Sequence, residues 1–92
     1  MEKWHLDIMK NLEDGEIEFL RAEALTGVTF AKIALGARRQ EKIDRNRVNA
    51  KKAYDTLLRF MPEDIGTDGA WTEIRARLAE LKSHLQQLGE DV

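Results

Sequence analysis

The sequence predicts an all-α fold, an antiparallel three-helix bundle with an additional short amphipathic helix at the N-terminus. The composition favours helix, because the 92 residues include only 6 glycines and 1 proline, with 42% hydrophobic and 35% charged residues. Apolar residues also recur at the three- and four-residue spacings of a helix along most of the chain. Helices of similar length joined by short connections favour antiparallel neighbours. We therefore expect a single helical domain over residues 1–92, with residues 1–14 as an N-terminal extension.

The last predicted helix, at about residues 68–88, has the most regular pattern. Its apolar residues form one stripe, and Gly89 occupies the position where a left-handed residue ends a helix. Glu73 and Arg77 are four residues apart, so we expect a weak ion pair between them. The stripe consists of Trp71, Ile74, Leu78, Leu81, Leu85 and Leu88.

The two preceding helices are predicted at about residues 16–37 and 41–61. Pro62 ends the second of them, because proline disfavours helical geometry at the residue before it and lacks a backbone donor. Asp14–Gly15 is the break before the first, which is apolar nearly all round and so needs cover on every face. Gly27, inside that helix, is expected to serve close packing or to mark a bend.

The short N-terminal helix is predicted at about residues 3–13. Trp4, Ile8 and Leu12 form its apolar stripe. This stripe either folds back onto the bundle, where it covers the remaining apolar face of residues 16–37, or contacts a partner or a second copy.

The predicted helix that ends at Pro62 resembles the second helix of a tetratricopeptide repeat. Ala50, Tyr54 and Pro62 match its small, aromatic and proline positions, and Leu57 stands where the repeat usually has alanine. The positions that correspond to the first helix of the repeat are Phe30, Ile33 and Ala34.

The chain is also similar to microtubule-interacting and trafficking domains, which are three-helix bundles. Ala50 and Tyr54 resemble positions of the second helix of that family, and the third helix is matched by Ile74, Leu78, Leu81, Lys82 and Leu85. The resemblance implies a protein-binding module that takes a partner helix in a groove between two of its own.

A local basic segment, residues 38–52, carries seven bases against two acids in a chain of net charge −2. It is a candidate contact for an anionic partner, either nucleic acid or acidic protein. Alternatively, its bases pair with nearby acids, for example Glu41 with Arg45 and Lys51 with Asp55. The bases are Arg38, Arg39, Lys42, Arg45, Arg47, Lys51 and Lys52.

No catalytic, cofactor-binding or metal-binding constellation is recognisable in the sequence. The absence of cysteine excludes disulfides and thiolate metal sites, and His5 and His84 each stand alone. Arg77 and His84 resemble the Arg-x4-6-His pattern of a nucleotide-binding helical ribonuclease superfamily. That resemblance would imply a catalytic His84 assisted by Arg77 at the phosphate.

We expect a small soluble helical module with a structural or protein–protein interaction role, and no enzyme, cofactor or metal. The expected partner is a helical peptide or a second copy. The alternatives are nucleic-acid or polyanion binding through residues 38–52 and, more remotely, a ribonuclease-like activity of Arg77 and His84. A cytoplasmic location is expected, since the chain has no cysteine and its first residues mix charges too early for a signal peptide. No membrane span is expected, because the most apolar run, residues 24–37, is shorter than the roughly 20 residues that cross a bilayer.

Overall fold

The computed structural model describes the backbone of residues 2–61 and 69–92, and the side chains of residues 15–61, 69 and 71–92. Within these ranges the chain forms α1 (Glu2–Gly36), α2 (Gln40–Phe60) and α3 (Gly69–Gln87). The helices pack as a bundle in which α1 contacts both others and α2 and α3 contact each other least. The predicted all-α bundle is confirmed.

The first helix is longer than predicted. Residues 3–13 are helical as expected, but they are continuous with residues 16–37, so the break at Asp14–Gly15 is wrong. One glycine inside a helix costs only about 1 kcal/mol relative to alanine, and the surrounding glutamates and leucines favour the helix. Since the N-terminal segment continues along the axis of α1, it does not fold back over that helix. The side chains of Trp4, Ile8 and Leu12 lie outside the described residues.

The core lies along the line where the three helices meet. Leu20 and Val28 of α1, Leu57 of α2 and Leu81 of α3 are at most 2% exposed. Trp71 and the other members of the predicted α3 stripe lie in this core or pack against it, as expected. The buried cluster comprises Leu20, Ala24, Val28, Ala31, Ala50, Tyr54, Leu57, Ile74, Leu81 and Leu85.

Gly27 lies at the closest approach of the three helices. A β-carbon built on Gly27 would be 2.8 Å from Cδ2 of Leu81 and 2.9 Å from Cβ of Ala53, both shorter than a normal carbon–carbon contact. Of the two expected roles of this glycine, close packing is the one observed. The contact also places Gly27 and Ala53 at the same level along α1 and α2.

The C-terminal ends of α2 and α3 agree with the sequence. Helix α2 ends at Phe60, and Met61 is extended, with φ −71° and ψ 129°. Helix α3 ends in a Schellman motif, in which Gly89 has a φ of 92° and the Glu90 amide donates to the Leu85 carbonyl at 2.9 Å. The predicted start of this helix at residue 68 lies outside the described residues.

Ion pairs tie α3 and the C-terminal tail to the other helices. Arg21 donates through Nε and Nη2 to one Glu73 oxygen, at 3.0 and 2.7 Å, and Lys32 lies 3.6 Å from Glu80. The expected pair between Glu73 and Arg77 is wrong, because Glu73 is engaged by the guanidinium of α1 instead. These contacts identify the side of α1 that faces α3.

Candidate interaction surface

Helix α1 has apolar side chains that no other part of the described chain covers. Phe19 is 49% exposed and Ile33 is 38% exposed. Phe19, Thr26 and Ile33 are seven residues apart, so they lie on one line along the helix. Thr26 is five positions from Arg21, about 140° around the helix, so this line points away from α3. The expectation that the first bundle helix is covered on every face is therefore wrong for a single copy.

The predicted basic segment divides into two bases that are engaged within the chain and five that form no ion pair among the described side chains. Arg47 hydrogen-bonds to Glu90 and lies 3.5 Å from Asp44, and Lys51 donates to Asp55 at 2.7 Å. The bond to Glu90 raises the pKa of Arg47. Both bases are thus engaged within the chain on the side of α2 that faces α3.

The remaining five predicted bases are exposed and form no ion pair among the described side chains. Arg38 and Arg39 lie between α1 and α2. The other three share one line along α2 with Arg59, at spacings of three, seven and seven residues. Arg45 is two residues from Arg47, so this line is on the side away from α3. We call Lys42, Arg45, Lys52 and Arg59 the basic row.

The apolar line of α1 and the basic row of α2 together form the surface opposite α3, which we call the outer face. Because α1 and α2 are antiparallel and Gly27 is level with Ala53, Phe60 is level with Leu20. A second exposed aromatic ring, 47% exposed, therefore lies at the Phe19 end of this surface. The outer face thus combines exposed apolar side chains with cations that form no ion pair in the described part of the chain, although the Arg59 guanidinium lies 5.5 Å from the centre of the Phe60 ring.

Four members of the outer face were missed in the sequence. Phe19 and Ile33 appear as two of many apolar residues, but Leu12, Phe19, Thr26 and Ile33 are all separated by seven residues. This repeat signals one helix face that runs through the predicted break. Arg59 and Phe60 lie outside residues 38–52, so a search for local charge density did not include them.

A shallow cavity of about 210 Å³ lies on the other side of α1, between α1 and α3. Its charged walls include Arg21 and Glu73, which already pair with each other, and Arg77. His84 is not in its wall, and seven residues separate it from Arg77, or about 10 Å along the helix. The described structure therefore does not join the two residues of the ribonuclease-like pattern in this cavity.

His84 lies apart from this cavity. Its two ring nitrogens are buried and have no hydrogen-bond partner in the described part of the chain, while Nε2 lies 3.9 Å from Glu80. A group of three or more residues suited to hold a metal ion is also not found among the described side chains. A search of the described helices found no segment with the length and hydropathy of a membrane span.

Comparisons with protein-family models, with curated proteins and with solved structures returned no match for this chain.

Proposed function

We propose that this protein is a helical protein-binding module that contacts its partner through the outer face. The observation that carries this proposal is the exposed apolar line of α1 beside the unpaired basic row of α2. The combination fits an amphipathic helix, because such a helix buries one apolar stripe and presents charged residues along its edges.

The positive charge of the basic row favours a partner helix with acidic residues along its edges. All four members of the basic row are exposed cations. Acidic residues along the edges of the partner helix would gain from these cations and would speed association at low salt. The resemblance to microtubule-interacting and trafficking domains, whose members take a partner helix in a groove, points to the same mode.

A pair of synthetic helical peptides tests the proposal. Both carry the same apolar stripe, and one has glutamates along its edges where the other has lysines. We expect fluorescence anisotropy to show tighter binding of the glutamate peptide, with an affinity that falls as salt is added.

Two matched substitutions locate the contact. Ile33→Gln removes an apolar side chain from the outer face, whereas Leu58→Gln makes the same kind of change on α2 at a residue seven positions after Lys51, on the side facing α3. Leu58 is 54% exposed, so it is as accessible as Ile33. We expect only Ile33→Gln to weaken binding. Equal binding of the two peptides, or equal effects of the two substitutions, would contradict the proposal.

Polyanion binding is a second candidate, favoured by the exposure of the basic row. From Lys42 to Arg59 the row extends about 25 Å along α2. Binding to phosphates would release counterions, so its affinity would fall steeply with salt. A single-stranded DNA titration separates the two candidates, because Ile33→Gln leaves phosphate contacts intact, whereas a change of Arg45 and Lys52 to Gln removes them.

A further inference from the structure

The outer face has a complementary surface within the same chain. We propose that the partner is a second copy, and that two α1 helices pair antiparallel so that the N-terminal half of each covers the outer face of the other. This inference rests on the proposed function, since it names the occupant of the same surface.

The charge of the N-terminal half of α1 matches this role. Residues 2–18 contain six acids and two bases, a formal charge of −4. The cations that it would meet on the other copy lie on the outer face and just beyond the end of α1, and none is paired within the described part of the chain. The four of the basic row are joined there by Arg38 and Arg39.

The spacing of apolar residues matches as well. Leu12 precedes Phe19 by seven residues, and Ile8 and Trp4 precede Leu12 at intervals of four. Because α1 is a single helix from Glu2 to Gly36, these positions belong to the same face as Thr26 and Ile33. By sequence register, the line of seven-residue spacings therefore runs through both halves of α1, with Thr26 as its one polar position.

The continuity of α1 also determines which outer face residues 2–18 can cover, that of their own chain or that of the second copy. A segment that continues along the helix axis does not lie over the face of its own helix, so residues 2–18 do not reach the outer face of their own chain. In an antiparallel pair, the acidic residues 2–18 of each copy lie beside the basic row of the other copy. This contact occurs twice, once at each end of the pair. A parallel pair would place acidic half against acidic half, which is electrostatically unfavourable.

Sedimentation velocity of the full chain over a range of concentrations tests this proposal. We expect a dimer of twice the 10.6 kDa chain mass that dissociates on dilution and with added salt. Ile33→Gln, which alters the interface twice, is expected to weaken dimerisation roughly tenfold or more, whereas Leu58→Gln leaves it unchanged.

A charge variant with a matched control tests the role of the basic row. Arg45→Glu with Lys52→Glu is expected to abolish the dimer at low salt. Arg75→Glu with Lys82→Glu makes the same change of net charge at exposed positions of α3 and is expected to leave it intact. If both double variants weaken the dimer equally, general repulsion accounts for the effect and the proposed interface is wrong.

Cross-linking distinguishes the antiparallel from the parallel arrangement, since the chain has no native cysteine. In an antiparallel pair centred on the middle of α1, Ala22→Cys places the two thiols about 9 Å apart along the axis, and Thr29→Cys about 30 Å apart. We expect a short bismaleimide to link the first variant and not the second. Linking of both would overturn the antiparallel arrangement.

A monomer at all concentrations would overturn the second copy as the partner. The titration with the glutamate peptide then shows whether the outer face binds a helix at all. Binding of the peptide by a monomeric chain supports the proposed function with a different protein as partner, and failure of both experiments removes the two proposals together.

Discussion

Alanine at position 27 would test whether the three helices approach as closely as the structure shows. Alanine is favoured over glycine inside a helix by about 1 kcal/mol, so Gly27→Ala would stabilise α1 if there were room for the methyl group. The new carbon would instead meet Leu81 at 2.8 Å and Ala53 at 2.9 Å. The Leu81 methyl moves by side-chain rotation, but the Ala53 methyl moves only if α2 moves.

The two effects have opposite signs, and their magnitudes favour destabilisation. Overpacking of a core costs roughly 1–3 kcal/mol, and the upper part of that range applies because one of the two contacts involves a β-carbon fixed to its backbone. After subtraction of the helix-propensity gain, we expect Gly27→Ala to lower the free energy of unfolding by about 1–2 kcal/mol. In a domain of this size each kcal/mol corresponds to roughly 4–8 °C in Tm.

Urea and thermal unfolding followed by circular dichroism measure the effect, and Gly15→Ala is the matched control. Among the described residues, no atom outside the adjacent residues and the backbone of α1 lies within 4 Å of a β-carbon built at Gly15, so this change is expected to be neutral or stabilising by up to about 1 kcal/mol. Ala53→Gly in the Gly27→Ala background reopens the space, and the double-mutant cycle is expected to show a favourable coupling of about 1 kcal/mol. A Gly27→Ala protein that is as stable as Gly15→Ala would refute the close approach.

Three further substitutions have defined expected outcomes. His84→Leu is expected to raise the free energy of unfolding by about 1 kcal/mol in chemical denaturation, because it removes two buried ring nitrogens that have no hydrogen-bond partner among the described residues; a less stable variant would show that these nitrogens are satisfied in solution. Gly89→Ala is expected to lower it by about 1 kcal/mol, since the left-handed φ of 92° disfavours a β-carbon; an unchanged Tm would contradict the Schellman motif. Asp55→Asn is expected to lower the pKa of Lys51 in an NMR titration, because the hydrogen bond to Asp55 raises that pKa above its ordinary value of 10.5. The stability from this pair is complete below 10.5 and lost as the pH rises through the raised folded pKa, so the unfolding curves of the two proteins should converge at alkaline pH.

The buried face and the C-terminal end of α3 could be predicted from its regular pattern of apolar residues. Ile74, Leu81 and Leu85 recur at helical spacing and are fully buried, because a single stripe facing two other helices leaves one possible orientation. Gly89 was equally predictable, since the end of such a helix commonly requires a left-handed residue. Local sequence was sufficient in both cases.

The first helix shows where local signals fail. Asp14–Gly15 has the composition of a break, but a penalty of about 1 kcal/mol does not stop a long helix whose other residues favour it. The seven-residue spacing across Asp14–Gly15 indicates a continuous helix, whereas the two residues themselves indicate a break. It emerges only when residues 3–13 and 16–37 are treated as one segment.

The basic segment, residues 38–52, contains both engaged and exposed cations, and the sequence alone did not separate the two. Of the two expected ion pairs of neighbouring residues, Lys51 with Asp55 forms, whereas Glu41 and Arg45 form none within the described chain. Arg47 binds Glu90, which is 43 residues away, and no rule about neighbours on a helix identifies such a partner. The distinction between engaged and free cations therefore depended on the tertiary structure.

The role of α1 as the helix that contacts both others has a consequence for how the domain opens. Since α2 and α3 contact each other least, α3 is expected to detach by losing its own contacts, such as Glu90 with Arg47 and Leu81 with Gly27, while the contacts between α1 and α2 are kept. Amide exchange would then proceed in two stages, with α3 ahead of the α1–α2 hairpin. The outer face lies entirely on that hairpin, so it would persist in a partly open molecule, and partner binding would protect α1 and α2 more than α3.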